Sequence, residues 1–285
     1  MTKRSTHFPR LFPPPTTATT PAKKDLFEID DDSAALDSER ADVFHSITAK
    51  LLFTSQRARI DILLPVAFLC TRVSHPTEED WEKLRRVLRY LHGTRDLELI
   101  LGVDGIVAVL TAWVDASYGT HPDKRSHTGG AMSFGRGAFS CKSKKQKLNT
   151  KSSTEAEVVG ASDYLPSMLW ARNFLEAQGF QIKEKKVYFN QDNESAIKLE
   201  SNGRASAGQQ SKHIDNRFFW ITDRIKQKEI MVQHCPTELM LADFFTKPLQ
   251  GALFQRFRSI LLGHHKVADL VVPPSPSKER VGGAD

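Results

Sequence analysis

From residue 41 to about 100, apolar side chains recur at the spacing of helices. The run FHSITAKLLFTSQRARIDILLPVAFLCTRV is rich in them, and Pro65 is expected to bend or divide it, because proline lacks the N–H that a helix interior needs. In HPTEEDWEKLRRVLRYLHGT, Thr77 is placed to cap a helix, and Glu78, Glu79 and Asp80 favour its positive end. Gly93 is placed to close it, and Trp81, Leu84, Leu88 and Leu91 form one apolar stripe. This stretch reads as a helical subdomain packed on a neighbour.

Near residue 105 the period changes. IVAVLTAWVDAS alternates and is rich in β-branched residues, which predicts a strand. GGAMSFG and GAFSCKSKK are short and bounded by glycine, so the three together predict an antiparallel meander. TKSSTEAEVVGASD opens a helix. Thr154 followed by Glu157 has the form of a capping box, with Val158, Ala161, Leu165, Leu169, Trp170 and Phe174 at helical spacing beyond. KKVYFNQD is a fourth strand and NESAIKLESN a short helix. HIDNRFFWITDRIKQK is a longer helix, and EIMVQHCP a fifth strand. ELMLADFFTKPLQGALFQRFRSILL is helical, interrupted near Pro248. Hairpins join the first three strands, and helical crossovers add the last two. The predicted fold is α/β, a mixed five-stranded sheet with three antiparallel strands, two parallel additions and helices on both faces.

The ends differ from this middle. Residues 1–40, first Pro- and Thr-rich and then acidic, read as a disordered tail, as do residues 263–285. The division expected is therefore tail, helical segment 41–100, sheet domain 105–262, tail.

Composition adds limits. The 285 residues carry a net charge of +6, compatible with a polyanionic partner. Three dispersed cysteines argue against a disulfide framework or a zinc site and fit a reducing, intracellular compartment, cytoplasmic or nuclear. No apolar run approaches the ~20 residues of a membrane span, and the first residues are basic without an apolar core, so a secretory signal is not expected there.

Four carboxylates sit in telling places. Asp115 lies inside a predicted strand, where aspartate is depleted. Asp192 ends the fourth strand and could also be a routine helix cap. Asp243 is embedded among apolar residues, and a buried carboxylate needs a cation or strong donors. If the first and fourth strands are neighbours, Asp115 and Asp192 lie side by side, with Glu157 and Asp243 brought over them. Such a cluster needs a divalent cation to neutralise it, and an all-oxygen set suits Mg²⁺. Two ions ~4 Å apart would serve phosphodiester hydrolysis.

With these residues in view, the chain resembles the C-terminal part of the Pol polyprotein of copia-type LTR retrotransposons. The matching motifs are VDASY, RSHTGG, SCKSKKQKLNTKSSTEAE, DNESAI, SKHID and ADFFTKPLQG, spread over about residues 110–262. The resemblance implies a ribonuclease H-like fold and a ribonuclease H that cleaves the RNA strand of RNA–DNA hybrids. It implies Asp115, Glu157, Asp192 and Asp243 as catalytic and metal-holding residues, and it singles out Glu157 over Glu155. Two Mg²⁺ ions, with Mn²⁺ as a substitute, are the cofactors implied. Residues 44–94 are similar to the thumb and connection region that links polymerase to ribonuclease H. Ile60 stands where that family usually has proline. The chain has no Y-V-D-D polymerase signature, so it is expected to be a fragment or truncated copy whose partner is the polymerase part of a Pol protein.

On the substrate side, Lys142, Lys144, Lys145, Lys147 and Lys151 lie in a stretch free of acidic residues, with Lys124 and Arg125 in the turn before it. They are either a solvated charged edge or contacts to the phosphates of a hybrid. Asn193 is a candidate for touching the nucleic acid. His234, after the last strand, is the candidate mobile histidine that assists proton transfer or product release, and His213 is placed before a helix that Asp215 could cap. The competing readings are a catalytically silent nucleic-acid-binding or scaffolding remnant and, opposed by the motifs, another nuclease of the same superfamily.

Overall fold

The structure is a computed structural model that describes residues 16–105, 108–202 and 212–270; among the side chains of residues 202–218 it describes that of Arg217 alone. Three helices come first: α1 (Ser38–Ser55), α2 (Leu63–Cys70) and α3 (Glu78–Gly93). The chain divides before Pro65, at a 3₁₀ turn over Ile60–Ile62, so that Pro65 occupies the first turn of α2, where its missing N–H costs nothing. Thr77 caps α3 as expected. Its hydroxyl accepts from the Asp80 N–H, and Asp80 accepts from the Thr77 N–H at 3.0 Å, a complete capping box.

The strands are β1 (Gly102–Val103), β2 (Ala108–Ser117), β3 (His127–Ser133), β4 (Gly135–Arg136), β5 (Ala138–Lys145), β6 (Ile182–Gln191) and β7 (Ile230–His234). Five of them form one sheet in the order β5-β3-β2-β6-β7, with β2, β3 and β5 antiparallel and β6 and β7 added parallel. This is the mixed sheet anticipated from the sequence, and the fold is ribonuclease H-like. The short pair β1–β4 was not anticipated. The remaining helices are α4 (Ser153–Ala177), α5 (Glu194–Asn202), α6 (Lys212–Lys226) and α7 (Gly251–Leu261).

Side chains alternate across β2, so it feeds two cores. Leu110, Ala112 and Val114 pack with α4, α5 and α6 on one face. Trp113 packs on the other with α1–α3, α7 and the segment around Phe244 and Phe245. The boundary drawn near residues 100–105 is thus no gap in packing, because the helical segment and one face of the sheet share a single core. A buried polar chain ties them further. The Arg59 guanidinium grips the Asp61 carboxylate, Tyr90 donates to Asp61 at 2.6 Å, and Arg258 of α7 donates to the Tyr90 hydroxyl.

Four expectations need correction. Part of each segment read as a tail is packed: in residues 1–40, Ala22 and Leu26 are buried in the shared core and the Phe27 ring lies edge-on to Phe68, and in residues 263–285, a 3₁₀ turn over Val267–Leu270 buries Leu270 in the same core. These apolar positions supply burial that the composition of the two segments does not suggest. The region around Asp243 is not an α-helix. It forms two 3₁₀ turns, Thr237–Leu239 and Leu241–Phe245, and α7 begins only after Pro248. Trp170 and Phe174 are exposed and stacked on each other, their centroids 5.2 Å apart, rather than continuing the buried face of α4. They fall on the solvent side of the helix, whose buried face continues through Met168, Ala171 and Arg172 to the partly buried Leu175. Finally, α6 begins at Lys212, which puts His213 and Asp215 in its first turn; their side chains lie outside the described residues.

Candidate active site

The register of the sheet places the first two carboxylates. β2 and β6 run parallel and step together from Leu110 opposite Val187 to Trp113 opposite Asn190. Two residues further on, Asp115 and Asp192 stand side by side at the same end of the sheet. α4 starts at that end and delivers Glu157. One ligand oxygen from each of Asp115, Glu157 and Asp192 lies within 4.8 Å of the others.

At both loops, neighbouring residues divide the labour. The cap of α4 is not the Thr154–Glu157 pair expected. Ser152 is the N-cap, its hydroxyl accepting from the Glu155 N–H, and the Glu155 carboxylate accepts from the Lys151 N–H at 2.7 Å. Glu155 therefore serves the helix end and Glu157, half a turn on, is left to the acidic cluster. At α5, Asn193 accepts from the Ala196 N–H at 3.0 Å and does the capping, which leaves Asp192 to face the cluster. The Asn193 side chain is thereby committed to the helix.

Asp243 arrives from the opposite layer. Its 3₁₀ turn sits directly on Gly129, the residue paired with Asp115 across β2 and β3. A Cβ at Gly129 would lie 2.8 Å from the Ala242 carbonyl oxygen and 2.7 Å from Thr246 Cγ2, so only glycine admits the turn. The Thr246 hydroxyl donates to Asp115. Gly160 plays the matching part on α4: a Cβ there would meet Thr128 Cγ2 at 3.2 Å.

Asp115, Glu157 and Asp243 are 3%, 5% and 5% exposed, so their charges are poorly hydrated. Burial, then the charges of Asp115 and Asp192, push the Glu157 carboxyl well above the usual range. Asp192 moves up through burial and Asp115. Asp243 is pushed up to about 7 by burial and Asp115, against the lowering effect of Lys247. The Lys247 ammonium lies 2.7 Å from Asp243 and 3.8 Å from Asp115. Sequence reasoning missed Lys247, although the signal was available, since it lies one turn after Asp243 in the same motif.

An all-oxygen, buried, mutually repelling set fits a hard divalent cation, and the one ammonium beside it is too little to neutralise four carboxylates. The residues fit Mg²⁺ or Mn²⁺. His234 is less well placed than expected. It is the last residue of β7, exposed, and its side chain makes no hydrogen bond to any of the four carboxylates among the described residues.

The lysines separate into two groups. Lys142 donates to the Ser167 hydroxyl at 2.8 Å and lies over the Tyr164 ring, and Lys145 pairs with Asp123 at 2.6 Å. Arg125 faces the same aspartate at 3.5 Å. Lys144 and Lys147 are exposed and make no ion pair among the described residues. With Lys142, Lys145 and Arg217 of α6, which the sequence reading missed, they line a groove of about 440 Å³. Gln146 connects this groove to the acids: its amide donates to Thr128 and to the carbonyl of Ala156, the neighbour of Glu157. Lys151 lies outside the groove lining, at the exposed start of α4, as do Lys124 and Arg125 in their turn.

No protein-family model matches the chain. Curated proteins do. The chain is 33% identical over 223 residues to the retrovirus-related Pol polyprotein from transposon TNT 1-94 of Nicotiana tabacum, covering 78% of this chain and 16% of that protein. It is 33% identical over 218 residues to the Pol polyprotein from transposon RE2 of Arabidopsis thaliana, covering 76% and 14%. It is 38% identical over 122 residues to the putative transposon Ty5-1 protein YCL074W of Saccharomyces cerevisiae, covering 42% and 39%. Its homologues are retrovirus-related transposon Pol polyproteins. The chain spans about a sixth of the length of the first two. Among solved structures, LC11-RNase H1 aligns with a TM-score of 0.35 at 12% identity, over 48% of this chain and 91% of that one. A foamy viral protease-reverse transcriptase in complex with RNA/DNA hybrid aligns with a TM-score of 0.42 at 12% identity, over 80% and 28%. Among the described residues, no helix of this Pol homologue is long and apolar enough to cross a membrane.

Proposed function

We propose that this chain is a divalent-metal-dependent ribonuclease H of the copia type, the C-terminal part of a retrotransposon Pol, which hydrolyses the RNA strand of RNA–DNA hybrids. The observation that carries the reading is the convergence of Asp115, Glu157 and Asp192 within 4.8 Å, with Asp243 adjoining. These side chains come from two strand ends, a helix and a turn that are far apart in sequence, and nothing in fold stability requires four acids there.

Asp115, Glu157 and Asp192 would hold one metal ion, and Asp115 with Asp243 would border a second. Two bound ions would supply the charge that lowers the barrier for water to attack a phosphodiester. The chain's own part is to fix the donors. The Thr246 hydroxyl and the Gln191 amide, 3.4 Å from Glu157, orient the carboxylates. Rigid elements then hold the site without reorganisation during reaction. The groove with Lys144, Lys147 and Arg217 offers positive charge to the phosphates of the hybrid, which favours backbone contacts with little sequence preference.

The test is cleavage of a labelled RNA–DNA hybrid with Mg²⁺ by the wild type, Asp115→Asn and Glu157→Gln. Cleavage by the wild type alone supports the reading. Equal cleavage by either variant sinks the site assignment, and hybrid binding without cleavage by the wild type favours the silent-remnant reading.

A further inference from the structure

The positive charge beside the acidic quartet is unevenly placed. Lys247 reaches Asp243 at 2.7 Å and Asp115 at 3.8 Å. Glu157 and Asp192 are touched by neutral groups, the Gln191 amide at 3.4 Å and the Thr237 hydroxyl at 3.5 Å. Among the described residues, no other lysine or arginine forms an ion pair with any of the four. One edge of the quartet, Asp115–Asp243, therefore carries a cation of its own. The other edge, Asp115–Glu157–Asp192, has none and is the set whose oxygens converge.

We propose that Lys247 is a built-in counter-cation that fills the Asp115–Asp243 edge, so that the free protein takes up one divalent ion at Asp115–Glu157–Asp192 and resists a second. This rests on the metal-centre reading above. With all four carboxylates ionised, Lys247 reduces the charge of the quartet to minus three. One divalent ion brings it to minus one, and a second would make the centre positive. A phosphodiester brings the missing negative charge, so the second ion enters together with nucleic acid, as the ammonium withdraws. Lys247 is built for this: its side chain is 40% exposed on a flexible four-carbon stem, while its backbone is pinned by an N–H donated to the Asp243 carbonyl at 2.8 Å. The residue is a positioning residue, acting on the carboxylates and not on substrate. It restrains idle metal loading and makes assembly of the full centre depend on bound hybrid.

The experiment is Mn²⁺ binding, by electron paramagnetic resonance and calorimetry, to the full chain at pH 7.5 without nucleic acid. Wild type, Lys247→Met, Lys247→Gln and Lys247→Arg are compared, with near-ultraviolet circular dichroism to confirm folding. The wild type and Lys247→Arg are expected to bind one ion. Lys247→Met and Lys247→Gln are expected to bind two, the second at least tenfold more tightly than in the wild type. One ion in every form, or two of unchanged affinity in every form, overturns the role of Lys247 and leaves the metal centre standing. No ion in any form overturns the metal centre itself, and the inference with it.

Discussion

Replacing Glu157 and Glu155 one at a time separates two glutamates that the sequence sets two residues apart. Glu157 is 5% exposed and lies in a set whose oxygens approach within 4.8 Å. At an effective dielectric of about 20, two unit charges at that distance repel by about 3.5 kcal/mol. Protonation relieves part of this, so Glu157→Gln is expected to stabilise the metal-free protein by about 1–3 kcal/mol at pH 7.5. In a chain of this size that raises Tm by about 2–8 °C. The amide can keep the contact to Gln191 by turning over. Glu155→Ala has the opposite sign. It removes the carboxylate that accepts from Lys151 at 2.7 Å, an exposed cap bond worth about 0.5–1 kcal/mol, so Tm falls by about 1–3 °C. Mg²⁺ then separates the roles. At a hundredfold excess over its dissociation constant an ion adds about 2.7 kcal/mol to the folded state. Wild type and Glu155→Ala receive that gain, and Glu157→Gln receives little of it. The assay is thermal unfolding with EDTA and with Mg²⁺. The reasoning fails if Glu157→Gln melts at or below wild type in EDTA, or if the Mg²⁺ shift disappears in Glu155→Ala and persists in Glu157→Gln.

Gly129→Ala forces a methyl against the Ala242 carbonyl and Phe245 Cβ, both at 2.8 Å. Overpacking of about 1–3 kcal/mol is expected, with Mg²⁺ affinity weakened as the Asp243 turn lifts, and an unchanged Tm in calorimetry would contradict it. Asp243 titrates at about 7 in the folded protein against 3.8 ordinarily, so the native state holds the extra proton between about pH 4 and 7. Stability without metal therefore falls as pH rises through that window, and Glu157 and Asp192 add in the same direction. Buried His121 and His127, whose imidazoles burial holds well below their ordinary range, act in the opposite direction at the lower end of that window. The measure is therefore a difference: from pH 5.5 to pH 8 Tm should change more favourably in Asp243→Asn than in the wild type, and an equal change in both refutes it. Lys144→Glu with Lys147→Glu should weaken hybrid binding about tenfold or more and flatten its salt dependence, with Tm moved by less than about 2 °C. Fluorescence anisotropy across a salt series measures both, and an unchanged slope removes these lysines from the interface.

Much of the fold is written locally. Alternation and β-branching mark β2, glycines bound β3 and β5, and Thr77 with Asp80 starts α3, because each signal depends on neighbours a few residues away. The acidic residues stood out for the same reason: Asp115 interrupts a strand pattern, and Asp243 interrupts an apolar one. The motif resemblance then chose Glu157 over Glu155, which spacing alone left open. The sequence could not say which residues cap. Thr154 and Asp192 were each plausible, and Ser152 and Asn193 hold those places because the entry path of the chain, set by packing on the sheet, fixes where each helix begins. The exposure of Trp170 and Phe174 was equally hidden, since they are four residues apart and share a helix face, but that face is the one turned to solvent, while Met168, Ala171 and Arg172 beside them are buried. Lys247 and Gly129 matter only because a turn from residue 241 onward lands on β3, more than a hundred residues earlier in the chain. Periodicity determines which side chains share a face of one element. Only tertiary packing decides which elements meet, and so which charges must tolerate one another.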